Sequence, residues 1–264
     1  MTSTAVKPLL DVRDVSITYP RRKTPAVDDV SLSIGSGEIV AVVGESGSGK
    51  STLARAVVGL LRPDRGSISH DGTVLAGRRT TAQRRDIQMV FQDPRSSLNP
   101  RLTVRKIVAE GWRTHPSARP ADPEAGLVQL MDRVGLPAGL LDRTAEQLSG
   151  GQAQRVSIAR AISIGPRLLV CDEAVSALDV SVQTQILSLL LRLRDELGLA
   201  LLFITHDLGV VRQIADRVVV MHSARVVEQG PADDIFERPR DSYTRALLDS
   251  VLDLAAPPTY EDPA

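Results

Sequence analysis

The sequence predicts an α/β protein on a mainly parallel core sheet, with an antiparallel β portion at its start and a helical stretch in its middle. Three observations carry this. Apolar runs of strand length alternate with helical patterns, as in a parallel sheet joined by crossover helices. One run, Ile39 to Val43, leads straight into a glycine-rich turn. A second, Leu168 to Cys171, ends in two consecutive acids, Asp172 and Glu173.

The elements follow in order. Val15, Ile17 and Tyr19 alternate with polar neighbours, and Leu32 and Ile34 do the same, so the chain opens with half-buried strands. The 39–43 run is apolar throughout, as a strand covered on both faces must be. Leu53 to Leu61 reads as helix and Ile87 to Phe91 as a further strand. From about Asp93 to Gly165 helical patterns dominate. After the 168–171 strand, Val182, Ile186, Leu189, Leu190, Leu193 and Leu197 fall on one helical stripe. Leu199 to Thr205 is strand again, and Arg217 to Met221 with Val226 to Glu228 reads as a closing hairpin. The residues from 255 to 264 are proline-rich and expected to be disordered.

Composition narrows the function classes. At 264 residues the chain can bury one sizeable core with a smaller lobe, not two large domains. Hydrophobic content of 42% and charged content of 24% fit a soluble globular protein. One cysteine cannot form an internal disulfide, a zinc site or an iron–sulfur cluster, which points to a reducing compartment. Cys171 reads as a small apolar filler of its strand. Lys and Arg number 32 against 32 Asp and Glu, a balance that argues against wholesale attraction to nucleic acid or anionic lipid. Apolar runs fall far short of the ~20 residues of a spanning helix, and the first eight residues lack the apolar core of a secretory signal. A membrane role is therefore expected to come through a partner.

Gly44-Glu45-Ser46-Gly47-Ser48-Gly49-Lys50-Ser51-Thr52 matches the phosphate-loop pattern G-x-x-x-x-G-K-[ST]. Its glycines let backbone N–H groups turn inward around phosphate oxygens, and the following helix adds its positive end. Lys50 supplies a mobile charge for the β- and γ-phosphates, and the Ser51 hydroxyl is placed for Mg²⁺. Behind such a loop, the Asp172–Glu173 pair divides into two roles, since adjacent strand residues point to opposite sides. Asp172 would hold the Mg²⁺ shell and Glu173 would polarise the attacking water. Leu148-Ser149-Gly150-Gly151-Gln152 precedes a helical segment; Ser149 can cap it while Gly150 and Gly151 expose N–H groups, a second anion-binding device.

Taken in order, Gly44 to Thr52, Gln92, Leu148 to Gln152, Leu168 to Glu173, Ser176-Ala177-Leu178-Asp179 and His206 closely resemble the nucleotide-binding subunit of an ABC transporter, over about Leu9 to Leu252. The resemblance implies a P-loop NTPase of the ABC ATPase class, with a mainly parallel core sheet, an antiparallel β subdomain and an α-helical signature subdomain. It implies one nucleotide-binding domain over 1–254, with the helical subdomain at about 93–165. It also implies that Ser149, Gly150, Gly151 and Gln152 cap ATP held by the phosphate loop of a second subunit, so that two ATPs, each with Mg²⁺, are sandwiched in a head-to-tail dimer. Tyr19 then stacks on adenine, where the residues alone also allow a half-buried strand aromatic. Gln92 reaches Mg²⁺ and the water and links the site to the membrane partner. Asp179 crosses the dimer interface, where the residues alone also allow a helix-start acid. His206 contacts the γ-phosphate, where in isolation it would be a structural histidine. The catalytic set implied is Glu173, His206, Gln92 and Lys50, with Ser51, Gln92 and Asp172 toward the metal.

One departure is visible: Ala174 and Val175 stand where the family usually has Pro-Thr. Proline would fix φ, so this turn is expected to be less restricted.

Phe91-Gln92-Asp93-Pro94-Arg95-Ser96-Ser97-Leu98-Asn99-Pro100-Arg101, Leu178 to Gln183 and Ser242 to Leu248 resemble the dipeptide/oligopeptide/nickel importer group. That implies an ATPase subunit energising import of peptides, or of nickel or another metal complex. It would sit on the cytoplasmic face of the membrane with transmembrane subunits, a second nucleotide-binding subunit and, indirectly, an external substrate-binding protein. The C-terminal cysteine cluster of some longer relatives has no counterpart here. A soluble ABC ATPase acting on DNA or ribosomes is disfavoured, because neither inserted zinc cysteines nor a tandem duplication is present. An exporter is disfavoured only by the Gln92 segment. Between Arg78 and Lys106 eight basic residues face two acids. We expect there a solvated face bordering the membrane subunits near the headgroups, and no nucleic-acid site, since no aromatics interleave with the charges.

Overall fold

The computed structural model describes residues 7–20, 22–176 and 178–255; the tail at 256–264 and position 177 lie outside the described residues. β1 (Leu10–Ile17) and β2 (Val27–Ile34) pair antiparallel, with alternating burial that is broken between Val12 and Val15 and between Val27 and Val30, where the register shifts. β3 (Ile39–Val43) is buried throughout and leads into α1 (Lys50–Val58). β4 (Arg65–His70) and β5 (Thr73–Val74) complete a four-stranded antiparallel sheet ordered β2-β1-β4-β5. α2 (Thr81–Asp86), opened by a reciprocal Thr80–Gln83 capping box, turns the chain into β6 (Ile87–Val90). The helical middle holds α3 (Pro94–Ser97), α4 (Val104–Val108), α5 (Glu110–Thr114), α6 (Pro123–Arg133) and α7 (Gly150–Ile162). There follow β7 (Leu168–Asp172), α8 (Val180–Leu197), β8 (Ala200–Ile204) and α9 (Leu208–Ile214). β9 (Arg217–His222), β10 (Arg225–Pro231), α10 (Ala232–Glu237) and α11 (Ser242–Ala255) close the fold.

The second sheet has the order β10-β9-β3-β8-β7-β6 and is parallel except for β10 at its edge. Alternation within each strand divides its burial between two faces. Leu169 and Cys171 of β7 face the core formed with α7 and α8, whereas Leu168 and Val170 face the core shared with α1 and the antiparallel sheet. Cys171 is fully buried, and burial pushes its thiol up to about 12, so it is the inert filler its position suggests.

Within the secondary-structure elements, the structure differs from the sequence expectations in three places. β1 ends at Ile17, so Tyr19 lies in the following loop and not on the strand. Leu197 is at the exposed end of α8, outside the apolar stripe. Neither β4 nor β5 stands out in the sequence: β4 takes its place by pairing with β1, although it buries only Ile68 and His70.

Candidate functional site

The phosphate loop is shaped by backbone that only glycine accepts easily. Gly44 has φ +142° and a Cβ there would overlap the Met221 carbonyl; Gly49 has φ +108° and a Cβ there would overlap the Ala26 carbonyl. No side chain caps α1, which leaves its first-turn amides for a ligand. Lys50 is 5% exposed, and its Nζ donates to the Gly44 and Glu45 carbonyls at 2.7 Å each. Burial pushes its pKa down, opposed by the charges of Glu173, Asp172 and Glu45. A buried ammonium resting on neutral carbonyls has little to lose in exchanging them for phosphate oxygens. The loop opens on a cleft of about 430 Å³ lined by Tyr19, Arg22, Lys50, Ser51, Thr52 and Glu173 among others.

Parallel strands bring the acids and their partners together at one edge of the sheet. Glu173 follows β7, Gln92 lies just past β6, and His206 just past β8, so three neighbouring strands deliver them from their C-terminal ends. Gln92 Nε2 donates to Glu173 Oε2 at 2.7 Å, and His206 Nδ1 lies 3.6 Å from Glu173 Oε1. Ser51 Oγ donates to Asp172 Oδ1 at 2.8 Å, bridging the phosphate loop to the strand end. Asp172 is 7% exposed, and burial raises its pKa, with the Ser51 hydrogen bond opposing. A hydroxyl and a carboxylate side by side suit Mg²⁺, which keeps water and phosphate oxygens as its other ligands. Among the described residues no cluster of three or more His, Cys, Asp or Glu forms an all-protein cage.

The two acids do diverge, but not by strand alternation. β7 stops at Asp172, and Glu173 turns into the left-handed region at φ +48°, held by its N–H donating to the Ile204 carbonyl at 2.9 Å. The turn that follows is restricted without proline. Ala174 and Val175 are buried at 2% and 1% exposure, the Ser176 amide donates to the Glu173 carbonyl at 3.2 Å, and the Ser176 hydroxyl donates to the same carbonyl at 3.0 Å. These contacts hold the turn in place of the φ restriction that proline would supply. Ser176 belongs to a segment singled out in the sequence, but only the folded turn reveals that it holds Glu173.

Tyr19 lies at the cleft, its hydroxyl 3.2 Å from Thr52 Oγ1. Arg22 and Arg55 also line it and carry no sequence pattern that would have singled them out. Ser149 and Gln152 form a reciprocal capping box at the start of α7: Gln152 N–H donates to Ser149 Oγ at 3.3 Å and Ser149 N–H to Gln152 Oε1 at 3.0 Å. Asp179 caps α8, accepting from the Val182 amide, and the Ser181 hydroxyl and that amide hold its carboxyl below the usual range. None of Ser149, Gly150, Gly151, Gln152 and Asp179 lines the phosphate-loop cleft of its own chain.

The basic segment is not a uniform solvated face. Arg79 is 8% exposed and donates to the Ala56 carbonyl at the C-terminal end of α1, its pKa lowered by burial to about 10. Arg85 donates to the Ile164 carbonyl, and Arg105 pairs with Glu124 and Asp142. Arg79, Arg85 and Arg105 are thus engaged within the chain, while Arg78, Arg84, Arg95, Arg101 and Lys106 are exposed.

Comparison with known proteins places the chain in a family. The ABC transporter family matches residues 27–176, and the family described as "Oligopeptide/dipeptide transporter, C-terminal region" matches residues 227–263. The chain is 44% identical to the oligopeptide transport ATP-binding protein OppF of Escherichia coli, over 93% of this chain and 78% of that one. It is 43% identical to OppF of Streptococcus mutans, over 93% and 82% respectively. Among solved structures it resembles cbiO1 of Clostridium perfringens, part of the ABC transporter complex cbiONQ, with TM-score 0.77 and 29% identity, covering 94% of this chain and 98% of that one. It also resembles a dimeric post-hydrolysis state of the ATP-binding cassette MJ0796 bound to ADP and Pi, with TM-score 0.75 and 29% identity, covering 84% and 98%.

Proposed function

The chain belongs to the ATP-binding, ATP-hydrolysing subunits of the ABC transporter family, and from that premise we propose that it energises import of peptides through separate membrane subunits. The observation that carries the chemistry is the convergence of Gln92 and His206 on the Glu173 carboxylate, beside the Ser51–Asp172 bridge.

ATP enters the cleft with its phosphates on the α1 amides and Lys50, and with its base near Tyr19. Ser51, Asp172 and Gln92 are the residues that would hold Mg²⁺, which supplies charge neutralisation at the phosphate oxygens. Glu173 accepts the proton of the attacking water, Gln92 orients that carboxylate and the water through its amide, and His206 donates toward the γ-phosphate. The Ser149–Gln152 segment and Asp179 complete the nucleotide site of a second subunit. Their placement away from their own cleft supports this reading, since a chain cannot use them on the ATP it holds. The nucleotide-binding domain spans 1–254, with the helical subdomain at about 93–165.

No described helix is long and apolar enough to cross a membrane, so this reading places the chain on the cytoplasmic face through its partners. A groove of about 650 Å³ is lined by Val58, Met89, Phe91, Ile164, Arg84 and Glu110 among others, and so includes the residue that precedes Gln92. It supports contact with the transmembrane subunits there. Peptides are favoured over nickel complexes by the identity to oligopeptide transport proteins and by the matched C-terminal segment. The test is reconstitution with co-purified membrane subunits and an external binding protein: peptides stimulate ATP hydrolysis and nickel complexes do not. Stimulation by nickel complexes alone would replace the peptide reading.

A further inference from the structure

The peptide unit joining Gly44 to Glu45, at the start of the phosphate loop, is held at both ends. Its carbonyl, on Gly44, accepts from Lys50 Nζ at 2.7 Å. Its N–H, on Glu45, donates to the Tyr243 hydroxyl oxygen at 3.1 Å, across 198 residues of sequence. Tyr243 lies in α11, inside the segment that matches the oligopeptide/dipeptide C-terminal region. The tyrosine is itself fixed. Its ring packs on His222 at the end of β9, with centroids 4.0 Å apart, and its own N–H donates to Asp241 Oδ1 at 2.8 Å. Burial raises its phenol above the ordinary value, so at neutral pH it is an uncharged acceptor with a proton of its own. The Met221 carbonyl, next to His222, closes against Gly44 so that only glycine fits. The end of β9 and the start of α11 thus form one wall behind the loop.

We infer that Tyr243 is a positioning residue for ATP binding, holding the Gly44–Glu45 peptide so that Lys50 can leave its carbonyl for a phosphate without the peptide turning. The inference rests on the reading that this loop holds ATP. Lys50 and Tyr243 pin the same peptide from opposite ends, and ATP phosphates would draw Lys50 away. Tyr243 is then the side chain that keeps the plane fixed. Without its hydroxyl the Glu45 N–H loses its acceptor, the peptide rotates, and the fraction of loops able to receive phosphate falls, which weakens apparent affinity by that fraction. One neutral hydrogen bond corresponds to about a fivefold effect.

The test uses the full chain with ATP as the titrant. Tyr243→Phe keeps the ring on His222 and removes only the hydroxyl. We expect ATP to bind about fivefold more weakly, the rise to fall on KM more than on kcat, and the melting temperature without nucleotide to stay at the wild-type value. Tyr243→Ala, which also empties the ring site, should lose at least as much affinity and melt lower. Were the tyrosine only a fastener for α11, Tyr243→Phe would bind ATP like wild type and Tyr243→Ala would lose stability alone; either result overturns the inference. Lys50→Ala separates the two readings. If wild type and Lys50→Ala bind ATP equally, the nucleotide reading of the loop fails, whereas equal binding by wild type and Tyr243→Phe, with Lys50→Ala inactive, removes Tyr243 alone.

Discussion

Glu173 sits at a backbone conformation that a glutamate adopts only when its surroundings insist. Its N–H is tied to the Ile204 carbonyl, its carbonyl to the Ser176 hydroxyl, and its carboxylate to Gln92. Glu173→Gln keeps the size and most of this wiring but cannot take a proton from water. We expect single-turnover ATP hydrolysis to fall by at least about 100-fold with ATP binding retained, as for loss of a general base; near-normal hydrolysis would move the base elsewhere. Lys50→Ala acts earlier. It removes the one buried ammonium facing the loop carbonyls, so equilibrium ATP binding and hydrolysis should disappear together. Unchanged ATP affinity in this variant would remove the phosphate loop as the nucleotide site.

At the level of elements, each helix start near the site does two things at once. Ser149 both caps α7 and heads the segment proposed to face a partner's nucleotide. Ser149→Ala removes the capping oxygen only and should cost about 1 kcal/mol of stability, read by chemical denaturation. Ser149→Arg adds bulk and charge at the same place, so it should abolish turnover while the isolated chain still binds ATP; full activity in that variant would refute a shared site. β4 gives a pH prediction. His70 is 5% exposed, with Nδ1 3.9 Å from Asp86 and Nε2 unpartnered among the described residues. Burial depresses its pKa, with Asp86 and Asp71 opposing and Arg167 and Arg79 reinforcing. The unfolded chain then binds more protons than the folded one just below the ordinary value of 6.5. Stability is thus full above that pH and is lost as pH falls through the lowered value. His70→Gln, which cannot titrate there, should flatten the fall in melting temperature as pH drops below the ordinary value of 6.5; an unchanged slope would assign it to other groups. These elements also mark what the sequence could carry. β3, β7 and β8 are legible because a doubly covered strand must be apolar throughout, and the phosphate loop because its turns demand glycine. β4 is not, since its place depends on pairing with β1. The β9–β10 hairpin is legible from its two apolar runs, although its turn carries no local signal: Ser223 and Ala224 take positive φ where Asn or Gly would have announced it. The divergence of Asp172 and Glu173 was expected from strand alternation but comes from a left-handed turn. The Tyr243–Glu45 contact joins residues too far apart for any local pattern.

For the whole molecule, placement decides: the phosphate loop lines the chain's own cleft, and the Ser149–Gln152 segment, proposed as a second anion-binding device, does not. A surface carrying both halves can satisfy both by meeting a second copy about a two-fold axis, each phosphate loop against the other's Ser149–Gln152 segment. The arrangement predicts complementation between dead variants. Lys50→Ala has no working phosphate loop and keeps its capping segment; Ser149→Arg has the reverse defect. In a mixed dimer, one site takes both defects, while the other takes Lys50 from one chain and Ser149 from its partner and is intact. Each variant alone should therefore be inactive, and an equimolar mixture should regain up to about a quarter of the wild-type ATPase rate, as random pairing with one working site in two dictates. Recovery that rises with total protein concentration and vanishes on dilution would tie it to association. A mixture as inactive as its parts would mean that this chain does not serve as its own partner, and the same experiment repeated against a related ATP-binding subunit would then identify the chain that supplies the missing half.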